Sequence, residues 1–232
     1  MDRRDFLKRN LQLIALGLMP GNFLSSCTTR KTIHLGALLA TSHALAQDGK
    51  GTVFSLYDLD RDSLKELPLS LETGHTAIVH PKRKNILFVP ESAGDKACVI
   101  DLDQWRVIRE VRANPGRVFG GHGDFNQDGS LLYVSEFEPP PSGKGFLTVL
   151  NGSDFTKIRS MPSRGKYPHD VTLNRNGKIL CISNLGVETG PHVKHSGIHI
   201  SRFLLPEERF LDRVELNDNY REMSSEIGRA HV

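Results

Sequence analysis

The chain has 232 residues, a net charge of +3, and is 38% hydrophobic, 25% charged and 7% aromatic, with three cysteines. That balance excludes a disordered tail, a disulfide-stapled miniprotein, collagen and a polytopic membrane protein. The length suits one large domain or two small ones, with a core of ordinary size.

The chain opens with Asp2-Arg3-Arg4-Asp5-Phe6-Leu7-Lys8, followed by an interrupted apolar run from Leu11 to Leu24 and then Ser25-Ser26-Cys27. Arg3 and Arg4 ahead of Phe-Leu-Lys resemble a twin-arginine export signal. Leu24-Ser25-Ser26-Cys27 resembles a lipobox, in which Cys27 becomes the lipidated first residue of the mature protein. Gln12, Gly17, Pro20, Gly21 and Asn22 break the apolar run, so it reads as a signal rather than a permanent span. Residues 1–26 are therefore expected to be a lipoprotein-type signal segment. The expected partner is the twin-arginine export machinery, with membrane attachment through Cys27 and a periplasmic location. Arg3, Arg4, Lys8 and Arg9 against Asp2 and Asp5 place +2 of the +3 charge in this segment. The rest has no concentrated basic patch: Arg106, Arg109 and Arg112 interleave with apolar residues on a solvated strand face, and no nucleic-acid partner is expected.

From here the pattern is a repeat. His75, His122 and His169 recur at a spacing of 47 residues. Each is followed by a short strand pattern, a turn and a more apolar strand. The turns are Pro81-Lys82-Arg83-Lys84, Asn126-Gln127-Asp128-Gly129 and Asn174-Arg175-Asn176-Gly177, the latter two carrying the Asp-Gly or Asn-Gly of a tight hairpin. Third strands are predicted at Ala97–Asp101, Gly145–Leu150 and Gly197–Phe203. More polar fourth strands are predicted at Val107–Val111, Lys157–Met161 and Phe210–Leu216. Four antiparallel strands in about 47 residues is the period of a β-propeller blade. Upstream, residues 33–44, 51–60 and 64–72 read as a blade lacking its first strand. The Pro139–Gly143 run is expected to be a loop within its blade.

The last seven residues, Glu226–Val232, back-translate to the start of a common sequencing-library adapter followed by a stop codon. They are read as an artefact, with the gene cut at about Ser225. Residues 27–225 then hold about four blades of a larger ring of the seven-bladed type. The fold class expected is all-β, a partial β-propeller preceded by a signal segment.

Gly116–Gly123 through Tyr133 and Tyr167-Pro168-His169 through Gly186, together with the arginine pair, resemble one bacterial family. It comprises propeller-like periplasmic proteins catalogued as a domain of unknown function, number fifteen-thirteen. The resemblance spans about residues 33–216 and is poor over Val187–His199. It implies an exported propeller near periplasmic iron-handling proteins, and no established reaction.

In an antiparallel blade the start of the first strand and the end of the second share one sheet edge. His75 is therefore expected near Glu91 or Ser92, His122 near Glu136 and His169 near Asn184, all ringing one mouth of the channel. Three imidazoles and two carboxylates suit a transition metal or an anionic ligand, and Gly121 and Gly123 leave room for a ligand to approach the backbone. The same repetition is what loop-fixing structural histidines would produce, and the residues leave both roles open. His192, His195 and His199 form a looser cluster that reads as solvated. Cys98 and Cys181 read as buried thiols in different blades. No nucleophile elbow, P-loop, dinucleotide glycine pattern or Cys-x-x-Cys occurs. The expected function is an envelope propeller that binds a ligand, metal or partner at the channel mouth. The alternative is a lactonase-like hydrolase that uses a channel-bound metal to activate water and would lose activity, but not its fold, in E136Q.

Overall fold

A computed structural model describes residues 36–44, 51–188 and 195–215. The signal segment with Arg3 and Arg4, the lipidation site Cys27, His192 and the 226–232 tail lie outside the described residues. The described part is all β, arranged as consecutive antiparallel sheets, the blades of a propeller. The first sheet holds β1 (Ala37–Ala44), β2 (Gly51–Asp58) and β3 (Ser63–Leu69), in that order. The second holds β4 (Ile78–Val79), β5 (Ile86–Pro90), β6 (Lys96–Asp101) and β7 (Arg106–Arg112). The third holds β8 (Val118–Phe125), β9 (Leu131–Phe137), β10 (Lys144–Asn151) and β11 (Lys157–Lys166). The fourth is built from β12 (Pro168–Leu173), β13 (Ile179–Asn184), β16 (His199–Leu204) and β17 (Arg209–Glu215). Between its second and third strands lies a small hairpin of β14 (Val187–Glu188) and β15 (His195–Ser196).

Each sheet runs from an innermost strand to an exposed outer one, and the core lies between sheets. Along β5, Leu87 and Val89 pack toward the first sheet with Phe54, Leu69 and Leu71, whereas Ile86 and Phe88 pack toward the third with Phe119, Leu132 and Val134. Strand β9 does the same: Leu132 and Val134 face one neighbour, and Tyr133 faces Val171, Leu180 and Ile182 on the other side. Successive side chains leave opposite faces of a strand, so a strand buried on both faces reads as a continuous apolar run. That is why the second strands are the most hydrophobic stretches of the sequence.

The hairpins joining first to second strands are as expected in two blades, with Gly129 at φ +77° and Gly177 at φ +67°. The Asn126 and Asn174 side chains accept backbone N–H groups from Leu131 and Ile179, each at 2.9 Å. The second sheet has His80 in the equivalent place. Its buried Nδ1 accepts the N–H groups of Lys82 (3.1 Å) and Arg83 (3.0 Å). The turns leading into the outer strands repeat as well, each carrying one left-handed residue: Asp62, Trp105, Phe155 and Glu208. In three of the four sheets the outer strand also skips one position in its pairing, leaving Ile108, Ile158 and Leu211 unmatched and exposed. Such bulges twist an edge and help keep it from pairing with another chain.

Candidate functional site

His75 lies three residues before β4, and its N–H donates to the Pro90 carbonyl at 2.9 Å, which ties it to the second strand. His122 stands in β8 and His169 is the second residue of β12. The innermost strands adjoin, β8 packing against both β4 and β12, so one histidine per blade converges on one place. Ring centroids lie 4.8 Å apart for His75 and His122, 4.5 Å for His122 and His169, and 5.6 Å for His75 and His169. One nitrogen from each ring lies within 4.8 Å of the other two, and all three residues are half-buried. Burial first, then the neighbouring His75, pushes the His169 imidazole down to about 4. At neutral pH it is therefore uncharged and carries a free lone pair.

The surrounding backbone is shaped to let the rings meet. Gly121 has φ +93°, and a Cβ there would sit 2.7 Å from Cδ2 of His75. The Thr76 hydroxyl donates to the Gly121 carbonyl at 2.6 Å, binding the second blade to the third. Ser135 Oγ, fully buried on β9, lies 3.1 Å from the His122 carbonyl and 3.0 Å from that of His169. Its one proton is shared between the two strands that carry the histidines. A Cβ at Gly123 would meet the Tyr133 carbonyl at 2.5 Å. Gly121 and Gly123 are thus accounted for by close packing of a ring and a carbonyl. Gly123 also borders the cavity described below, where the sequence reading expected a ligand to approach the backbone.

Glu91, Glu136 and Asn184 are equivalent to one another, but they are not partners of the histidines. Glu91 accepts the N–H groups of Glu72 (2.7 Å) and Lys96 (3.0 Å). Glu136 accepts the Asn114 N–H (3.3 Å) and Nδ2 (2.9 Å) and faces Arg117 Nη1 at 3.5 Å. The Asn184 carbonyl accepts the Ser163 hydroxyl at 3.1 Å, and its amide donates to Ser201 Oγ at 3.1 Å. All three are buried. Glu91 and Glu136 hold the chain that follows the outer strand of one blade as it enters the next, and Asn184 holds the end of the outer strand β11. The expected sheet edge is correct and the expected face is wrong. Glu91 pairs with Gly74 and Asn184 with Pro168, one residue away from His75 and His169, and a one-residue offset moves a side chain to the other face. Glu136 pairs with Phe119, and the pairing then slips before Gly123, across His122.

A cavity of about 530 Å³ opens beside the histidines, bordered by His75 and His122 and by two carboxylates the sequence reading missed, Asp124 and Asp170. Asp124 Oδ2 accepts the Leu173 N–H at 2.8 Å, linking β8 to β12. Asp170 Oδ1 lies 3.4 Å from His122 Nδ1 and accepts the Val171 N–H at 2.9 Å. The available signal was the sequence itself: His122-Gly123-Asp124 and His169-Asp170 place an acid within two residues of two of the three histidines. Imidazole nitrogens are ligands for borderline divalent transition metals. Around zinc, with bonds of 2.0–2.1 Å, tetrahedral donors stand about 3.3 Å apart.

One member of the looser cluster, His199, comes out differently from expectation. His199 is buried, with Nδ1 2.7 Å from the Gly197 carbonyl and Nε2 3.2 Å from that of Arg164. It fixes a loop and is not solvated. Cys98 is buried and its thiol is pushed up to about 11, chiefly by burial, while Cys181 is half-buried in another blade.

No curated protein matches the chain in sequence. Among solved structures, it is similar to hydrazine synthase of Kuenenia stuttgartiensis, at 16% identity and a TM-score of 0.58, covering 73% of this chain and 47% of that one. It is also similar to the dihydro-heme d1 dehydrogenase NirN in complex with DHE, at 15% identity and a TM-score of 0.51, covering 77% of this chain and 38% of that one. The chain thus spans less than half the length of either structure, and at such identity the likeness is one of propeller fold. The family model described as "Protein of unknown function (DUF1513)" matches residues 69–202, a stretch that includes all three histidines and both carboxylates. Since that match covers more than half of the sequence, the chain belongs to this family.

Proposed function

We propose that this chain is an exported envelope propeller that binds a divalent transition metal through His75, His122 and His169. The observation that carries the reading is the convergence of three imidazoles from three blades, with nitrogens within 4.8 Å of one another, beside a cavity. An interior that needed only packing would fill this position with apolar side chains. The test is elemental analysis of the full chain purified from the periplasm, alongside H75A/H122A/H169A. Stoichiometric zinc, copper, nickel or cobalt in the parent and none in the triple variant supports the reading. A metal-free parent that also fails to bind added Co(II) overturns it.

Export rests on Arg3 and Arg4 ahead of the apolar run, and lipid attachment on Cys27 at its end. Replacing both arginines by lysine is expected to hold the protein in the cytoplasm, and C27A to release it from the membrane fraction. Proximity to periplasmic iron-handling proteins rests on the family resemblance alone. The hydrolase alternative is favoured by one feature: two carboxylates border the cavity next to the imidazoles, where a metal-bound water would need a base. Under that reading Asp124 or Asp170 replaces Glu136 as the base, and the metal-loaded protein turns over lactones. Absence of turnover leaves a binding protein.

A further inference from the structure

We infer that Asp170 is a positioning residue of the histidine cluster, holding His122 as the tautomer protonated on Nδ1 so that Nε2 carries the lone pair offered to a metal. The inference rests on the metal-binding reading for its purpose but not for its geometry. Asp170 Oδ1 faces His122 Nδ1 at 3.4 Å, and both side chains are largely buried, 12% and 13% exposed. A carboxylate oxygen accepts and does not donate, so the nitrogen facing it is the one that bears hydrogen. A neutral imidazole has one N–H, and the other nitrogen is then the donor to a cation. Nε2 of His122 is itself fully buried, on the side of the ring away from Asp170.

The aspartate is in turn held in place. The Val171 N–H donates to the same Oδ1 at 2.9 Å, and the β8–β12 contact is reinforced by Ser135 Oγ between the His122 and His169 carbonyls and by Asp124 on the Leu173 N–H. This carboxylate–imidazole order is the outer-shell arrangement that fixes ring orientation and raises donor basicity at metal sites. It also specifies the class of cation. Three neutral nitrogens leave the full +2 charge on the ion, with Asp170 behind His122 and Asp124 at the cavity edge as the carboxylates nearby. That suits Zn(II), Co(II), Ni(II) or Cu(II) and disfavours Ca(II) and Mg(II), which require oxygen ligands.

The experiment reads the tautomer and the metal separately. Long-range ¹⁵N–¹H spectra of the metal-free full chain, with H122Q to assign the signal, are expected to show His122 protonated on Nδ1. In D170A and D170N the signals are expected to shift toward a mixture of tautomers. Titration with Co(II) alone, followed by its visible absorption bands, is expected to show ten- to hundredfold weaker binding in D170A with altered band positions. Unfolding midpoints confirm that each variant is folded, and D170N, nearly isosteric, serves if D170A is not. A parent His122 protonated on Nε2, or variants with parental tautomer and Co(II) affinity, overturns the inference. A parent with the Nδ1–H tautomer, lost in D170N, that nevertheless binds no Co(II) upholds the positioning role and refutes the metal reading.

Discussion

Substituting Glu136 separates the site from its scaffold. The sequence placed this carboxylate beside His122, whereas the fold puts it on the crossing between the second and third blades. It is fully buried, and its two oxygens hold the Asn114 N–H at 3.3 Å, Asn114 Nδ2 at 2.9 Å and the Arg117 guanidinium at 3.5 Å. In E136Q one oxygen becomes an NH₂. Facing it toward the Asn114 N–H keeps the shorter bond and sets two donors opposite each other at the longer one. The Arg117 ion pair is lost in either orientation. A hydrogen bond to a charged group is worth about 1.5–3 kcal/mol. Arg117 is one-fifth exposed and partly screened, so E136Q is expected to cost about 2–3 kcal/mol and E136A about 3–5 kcal/mol. With a urea m-value of about 2 kcal/mol/M, the E136Q midpoint drops by about 1 M at unchanged m. The assay pairs urea unfolding with Co(II) titration under conditions where each variant is folded. The reasoning requires the midpoint to fall and Co(II) affinity to stay within about twofold of the parent. An E136Q protein of parental stability with weakened metal binding would return Glu136 to the site and refute the reading of the crossing.

Three further outcomes follow from the same geometry. G121A forces a left-handed backbone on a residue whose Cβ would sit 2.7 Å from the His75 ring; a loss of about 1–3 kcal/mol is expected, with weaker Co(II) binding in the folded fraction, measured by thermal melting and titration. F155G relieves about 1 kcal/mol of left-handed strain but removes a buried ring stacked on Phe88 at 5.8 Å, costing about 3–5 kcal/mol; a net destabilisation in urea is expected, and a stabilised variant would show that backbone strain dominates. His80 is held below its usual imidazole value of 6.5 by burial first and then by Arg83, and its unprotonated Nδ1 accepts two N–H groups. The unfolded chain then binds the proton more readily, so stability is full above that value and declines as pH falls below it; H80N should flatten part of that slope in unfolding midpoints measured from pH 7.5 to 5.

Much of the architecture was legible because propeller blades repeat what local chemistry dictates. The 47-residue histidine spacing, the Asp128-Gly129 and Asn176-Gly177 turns and the apolar second strands each reflect backbone or burial requirements within one blade. The role of His80 was not legible. In the second sheet an imidazole stands where the other two have the Asn126 and Asn174 amides, and it accepts the turn N–H groups of Lys82 and Arg83, whereas the amides accept the N–H that opens the second strand. Nor was the left-handed series Asp62, Trp105, Phe155 and Glu208 visible, since four unlike residues share a φ imposed by the turn.

The sequence by itself determined the fold class, the order of strands within the blades and the three recurring histidines that converge. It could not decide which groups surround them. Alternation along a strand turns a one-residue offset into the opposite face, so Glu91 and Asn184 at the right edge point into the blade crossings. Asp124 and Asp170 reach the cavity because β8 and β12 lie side by side. That adjacency arises only when separate blades pack against each other, and tertiary packing therefore settled which acids accompany the imidazoles.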